Sequence, residues 1–181
     1  AVLENSTVPV SVKIRAQSGK VSALDFVKNI CDLDVAAVMI HGRTLSQGFV
    51  GPIDLKLIKA VAKIFPGVVL ANGGIDDLKR MQQVLTTTKA HGVGVGRAAL
   101  GRPWIFKTLK GLPDTISDRP RKIFKVAISH AESAYRLKGR AGILEMRQQL
   151  CWYMRDLPQA GKLRERLVRA ETLDDIKKIL T

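Results

Sequence analysis

The sequence predicts an α/β fold: four strand–helix units forming a parallel sheet, then a small all-α helical bundle. Three observations predict it. Short apolar runs end at Lys13, His41, Asn72 and Gly96, which fall 28, 31 and 24 residues apart, the spacing of βαβ units. Helix-like stretches fill the intervals. Beyond Trp104 strand-like runs cease, and helical periodicity continues to the end of the chain.

The first strand is Val8-Pro9-Val10-Ser11-Val12-Lys13-Ile14-Arg15. It alternates with period two, placing Val8, Val10, Val12 and Ile14 on one face and Ser11, Lys13 and Arg15 on the other. Ser22 then offers an N-cap, with Asp25 at the third helical position as in a capping box. Ala23, Val27, Ile30 and Cys31 form the apolar stripe of that helix, so Cys31 reads as a buried packing residue. Val35–Ile40 is a continuous apolar run, which predicts a fully buried strand, and it ends in His41-Gly42-Arg43-Thr44.

A second helix is predicted over Leu55–Phe65, with Leu55, Ile58, Ala62 and Phe65 on one side. Gly67–Ala71 is a short strand ending at Asn72-Gly73-Gly74-Ile75. The next helix begins near Asp76 and buries Leu78, Met81 and Leu85. The fourth strand, Val93–Val95, lies in His91-Gly92-Val93-Gly94-Val95-Gly96-Arg97. Glycines so spaced let a backbone approach a ligand closely. If a helix starts near Ala98, its free amides attract phosphate, and Arg97 adds a two-pronged charge-assisted contact.

Gly111-Leu112-Pro113-Asp114 and Ser117-Asp118-Arg119-Pro120 read as a linker. Domain boundaries of 1–110 and 120–181 follow. In the second part Ile123, Ala127, Ala131 and Ala134 share a helical face, as do Ile143, Met146, Leu150 and Tyr153. Leu163 and Leu167 mark a third short helix. Thr172 caps a last one carrying Leu173, Ile176 and Leu180.

The net charge of +14 and a pI of about 10.2 point to an anionic partner. Residues 106–181 are the more basic part, with 17 Lys and Arg against 9 Asp and Glu. Cys31 and Cys151 lie far apart with no metal-type spacing, which predicts a reduced, cytoplasmic protein without a metal site. No apolar run approaches the ~18 residues of a membrane span, and Ala1-Val2-Leu3-Glu4 lacks the organisation of a signal peptide.

In α/β sheets ligands bind beyond the carboxyl ends of the strands, where Lys13, His41 and Asn72 all fall. With the apolar face of its strand packed on helices, Lys13 points inward and requires an anion or an acceptor. Beside Lys13 and Asn72, His41 is favoured as a ligand contact over a core histidine bonded to a carbonyl. Gly94-x-Gly96-x-x-Ala99 also matches a relaxed dinucleotide fingerprint. A linker follows it where that fingerprint requires a second strand, so this reading is set aside.

Five motifs, in order and at matching spacing, resemble the tRNA-dihydrouridine synthases. They are Val12-Lys13-Ile14-Arg15, His41-Gly42-Arg43-Thr44, Asn72-Gly73-x-Ile75, Gly92-Val93-x-Val95-Gly96-Arg97 and Pro103-Trp104-Ile105-Phe106. Met146-Arg147, Trp152-Tyr153 and Leu163-Arg164 are similar to that family's helical RNA-contacting domain. The resemblance implies a flavin enzyme on a (βα)8 TIM barrel, of which the four βα units here form the C-terminal half. It places Lys13 and His41 against the FMN ring system, and Asn72, Gly73, Gly96 and Arg97 around the phosphate. Arg43 and Gly74 belong to the same cofactor-binding set.

The resemblance further implies that FMN, recharged by NADPH, reduces a uracil ring of tRNA. A cysteine in an Asn-x-Gly-Cys-Pro loop acts as general acid. That loop is expected upstream of this sequence, and neither Cys31 nor Cys151 sits in a matching motif, so no catalytic residue is expected in the chain. Arg136, Lys138, Arg147 and Arg164 are the expected RNA contacts. The missing barrel half, or self-association, is expected to cover the sheet. The alternatives are a non-catalytic RNA- or phosphate-binding remnant of the family, or another FMN barrel oxidoreductase.

Overall fold

Strand β1 (Ser11–Arg15) opens the sheet in the computed structural model, which describes residues 1–181 as two compact units, Ala1–Gly96 and Arg97–Thr181. A small hairpin follows, β2 (Gln17–Ser18) and β3 (Val21–Ser22). Then come α1 (Ala23–Lys28), β4 (Ala37–His41), α2 (Leu55–Ile64), β5 (Val68–Asn72), α3 (Leu78–Thr88) and β6 (Gly92–Gly94). The main sheet runs β1-β4-β5-β6 with every pair parallel. Doubly wound sheets reverse their order at a switch point, whereas barrels keep chain order. The first unit is therefore laid out as half of a (βα)8 barrel.

The strand register defines the two faces of the sheet. Val12, Val38 and Val69 form one row; Ile14, Ile40, Ala71 and Val93 form the next. Val38, Ile40, Val69 and Ala71 are fully buried, as are Val27 of α1, Ile58 and Val61 of α2 and Val84 of α3. The opposite face carries Lys13, Met39, Leu70 and Gly92 in one row and Arg15, His41, Asn72 and Gly94 in the row at the strand ends. Side-chain oxygens start all three helices. Ser22 accepts from the Asp25 amide, Asp54 from Leu57 at 2.8 Å and Asp77 from Arg80 at 2.6 Å, each satisfying an orphan donor of the first turn.

Several expectations for this unit are corrected. β1 begins at Ser11, because Pro9 has no N–H to give a ladder and Val8 is exposed. α1 ends at Lys28, so Cys31 lies in the following turn, half-buried, its thiol donating to the Val27 carbonyl at 3.1 Å. On the inner side of β4 Ala37 and Met39 stand half-exposed, and only His41 at the strand end is buried. α3 is rotated from the expected phase: Val84 and Thr88 are buried, while Leu78, Met81 and Leu85 are half-buried. Thr88 is satisfied there by donating to the Val84 carbonyl at 2.8 Å.

The second unit starts with a 3-10 turn, Arg97–Ala99, and then α4 (Ile105–Thr108), α5 (Pro120–Lys138), α6 (Arg140–Tyr153), α7 (Ala160–Leu167) and α8 (Leu173–Leu180). Its core joins Ile123, Ala127 and Ala131 to Ile143, Met146, Leu150 and Tyr153, with Leu167, Ile176 and Leu180. Trp104 belongs to this core and its indole N–H donates to Ser117 at 2.8 Å. That anchorage moves the division of the chain to Gly96/Arg97, ahead of the expected boundary between 110 and 120. At Gly142 a Cβ would come within 2.3 Å of the Ala134 carbonyl oxygen, so the absence of a side chain lets α5 and α6 pack closely. A capping box of Thr172 and Asp175 starts α8. No helix is long and apolar enough to cross a membrane.

Candidate functional site

The last register row of the sheet brings Arg15, His41, Asn72 and Gly94 side by side. Asn72 is fixed by donating its Nδ2 to the Gly94 carbonyl at 2.8 Å. His41 is buried. Gly73 makes room for it: with φ at +119°, a Cβ there would lie 2.8 Å from both His41 Cδ2 and Ile53 Cγ2. The glycine after Asn72 is thus required twice, by its backbone conformation and by the imidazole against it.

The loop after β4 is held over this row by the backbone and by Arg15. Gly42 donates to the Asn72 carbonyl at 3.0 Å, and Asp54 closes the loop on the Gly42 carbonyl at 2.6 Å. Arg15 Nη1 donates to the carbonyls of Thr44 at 3.1 Å and Gly48 at 3.0 Å. The Phe49 ring stands 5.9 Å from the Arg15 guanidinium and 6.4 Å from the His41 ring. Sequence reasoning missed Arg15 and Phe49. The signal for Arg15 was its place two residues after Lys13 on the same face of one strand.

Arg43 Nε donates to the Gly51 carbonyl at 2.7 Å. Its Nη2 lies 3.9 Å from the Cβ position of Gly74, which has φ at +63°. An open turn with a guanidinium beside it suits an anion. At Gly96 a Cβ would meet nothing within 4 Å, so the backbone there is open to a ligand. Lys13 lies on the inner face of the sheet and is exposed there. Arg97 is the exposed first residue of the second unit. The helix expected near Ala98 is a 3-10 turn of three residues, so no helix N-terminus forms there.

The four expected RNA contacts differ in environment. Arg136 is exposed on the last turn of α5. Lys138 pairs with Glu145 at 2.7 Å. Arg147 is half-buried and donates Nε to the Ala170 carbonyl at 2.7 Å. Arg164 is exposed, with Nε on the Ala160 carbonyl of its own helix at 3.2 Å. Burial pushes the Cys151 thiol up, against the pull of Arg164, and Cys31 is turned onto a helix carbonyl.

A half-barrel sheet with a polar row at its carboxyl ends has the layout of a (βα)8 barrel, joined in sequence to a basic helical unit. The profile of the dihydrouridine synthase (Dus) family matches residues 1–181, and the chain belongs to that family. It is 33% identical to tRNA-dihydrouridine synthase B of Xanthomonas axonopodis pv. citri over 96% of this chain and 54% of that protein. It is 30% identical to probable tRNA-dihydrouridine synthase 1 of Synechocystis sp. over 96% of this chain and 50% of that protein. A probable tRNA-dihydrouridine synthase of Aquifex aeolicus is 29% identical over 94% and 54%. The chain spans about half the length of the curated relatives it matches.

Proposed function

We propose that this chain forms the second half of a barrel that binds FMN and reduces uridine in tRNA to dihydrouridine, with NADPH as electron donor. The observation that carries the reading is the in-register row Arg15–His41–Asn72–Gly94, with Arg43 beside Gly74. The residues suit the group. Lys13 offers a cation on the inner face, Arg43 and the turn at Gly73-Gly74 suit a phosphate, and the side-chain-free backbone at Gly96 admits close approach. Asn72 and Arg97 complete the phosphate set, and His41 faces the ring system. When bound, reduced FMN supplies the hydride.

The chain's own residues then bind and orient the flavin, and no catalytic residue lies among them. The one proton that joins the hydride on the ring is delivered by a cysteine outside these 181 residues, since neither Cys31 nor Cys151 sits in an Asn-x-Gly-Cys-Pro loop. The helical unit holds the tRNA through Arg136, Lys138, Arg147 and Arg164, in the cytoplasm. Eight strands close a barrel and four parallel ones are present, so the site requires four more.

The test joins this chain to the first barrel half of the Xanthomonas relative and supplies FMN, NADPH and tRNA lacking dihydrouridine. Mass spectrometry of the digested tRNA then looks for uridines gaining the mass of two hydrogens. The gain is expected, and its loss in Lys13→Ala or His41→Ala is expected with it. An assembled, flavin-loaded barrel that leaves the tRNA unchanged would overturn the reading.

A further inference from the structure

The second unit has a groove between α5, α6 and the segment before α4, with a volume of about 580 Å³, within the range of small-ligand pockets. Leu100 and Val126 give it apolar walls, while Lys125, Ser129, His130 and Gln149 bring polar groups to it. His130 is oriented from below. Its Nδ1 shares a hydrogen bond of 3.2 Å with the buried Tyr153 hydroxyl, and the two rings meet edge to face. The hydrogen bonds of the chain leave the His130 Nε2, the Gln149 amide, the Ser129 hydroxyl and the Lys125 ammonium uncommitted.

We infer that this groove takes one unstacked nucleobase of an RNA strand, whose phosphates run along α5. The inference deepens the proposed function and rests on its reading of RNA as the substrate class. Apolar walls give the faces of a base a dry surface, and the amide and imidazole suit its hydrogen-bonding edge, the edge that proteins read in single-stranded RNA. The charge is complementary. Arg121, Lys125 and Ser129 recur at i, i+4 along one face of α5, leading into the groove, and residues 119–131 contain no acid. Lys122 is held apart by donating to the Thr115 carbonyl at 3.1 Å, so Arg121 and Lys125 are the phosphate contacts.

The test measures binding of the full 181-residue chain to a short single-stranded oligouridylate and to its abasic counterpart, each across a range of salt. The base-bearing strand should bind about tenfold more tightly, which is about 1.4 kcal/mol. Gln149→Ala with Ser129→Ala should remove most of that margin while leaving the salt dependence intact. His130→Ala should act in the same direction. The Gln149 and Ser129 changes remove no core atom and keep the test decisive if His130→Ala perturbs folding. Lys125→Ala should weaken both strands and lower the log–log salt slope by ~0.7. Salt-dependent binding with no preference for bases, or a preference untouched by these substitutions, overturns the groove but not the RNA reading. A chain that binds neither strand overturns both.

Discussion

Arg147 and Ala170 are joined across the helical unit, the guanidinium Nε of α6 donating to the carbonyl between α7 and α8 at 2.7 Å. A charged donor on a half-buried carbonyl is a structural bond, and Ala170 is itself in the core. Arg147→Ala should therefore destabilise the unit, by about 1.5–3 kcal/mol for a hydrogen bond to a charged group. Arg136 makes no such bond. Arg136→Ala should leave stability unchanged and lower the salt slope of tRNA binding by ~0.7–0.9. Urea unfolding and salt-dependent binding of the two variants separate these outcomes. If Arg147→Ala is as stable as the parent chain, the bond to Ala170 does not hold the unit together.

Residues whose role is periodic were the legible ones. The face Ile143, Met146, Leu150 and Tyr153 was readable because 3.6-residue spacing alone sets it, and the strand ends at His41 and Asn72 because apolar runs stop there. What depended on another segment was not legible. Arg147 sits at the border of an apolar stripe, and only the position of Ala170 shows what it bonds. Arg15 reads as an ordinary strand residue until the loop carbonyls of Thr44 and Gly48 come to it. The division at Gly96 was hidden because Trp104 ties residues that look like the end of the barrel part to the core of the second unit.

Gly73→Ala tests the packing beneath the candidate flavin site. The added methyl meets His41 and Ile53 at 2.8 Å, in a backbone conformation with φ at +119°. Such strain costs about 1–3 kcal/mol and is relieved only by moving the imidazole or the loop. In a completed barrel, FMN affinity should fall at least tenfold, while Gly96→Ala, where the new methyl meets no protein atom, should leave stability unchanged. Equal flavin affinity in Gly73→Ala and the parent protein would show that His41 is not held by this contact.

Asp114 gives the second unit an acid-sensitive clip. Partial burial works to raise its pKa, but hydrogen bonds from the Ser117 hydroxyl and from the Ser117 and Ile116 amides, with Arg102 nearby, lower it to about 2. A carboxyl depressed below its unfolded value contributes stability above the unfolded pKa of about 4, and loses it as pH falls towards 2. Ser117 also accepts from the Trp104 indole, so Trp104 fluorescence should change across that window. Asp114→Asn should be less stable at neutral pH and should lose this acid transition. An unchanged transition in Asp114→Asn would assign it to another carboxylate.

Both edges of the main sheet are unpaired within the chain. β1 bonds only to β4, and β6 only to β5. The inner face between them carries Ala37, Met39 and Leu70 half-exposed, with Val68 at 45%. An unpaired strand edge beside apolar surface is a template for pairing with another chain, and barrel closure is the arrangement that removes it. The isolated 181-residue chain should therefore self-associate in sedimentation velocity at micromolar concentration. Met39→Glu with Val68→Glu should shift it towards monomer, because charge on the inner face opposes its burial against a second copy. Joining the chain to a first barrel half should abolish the association without either substitution. A chain that sediments as a monomer and unfolds cooperatively on its own would mean that four strands with open edges suffice.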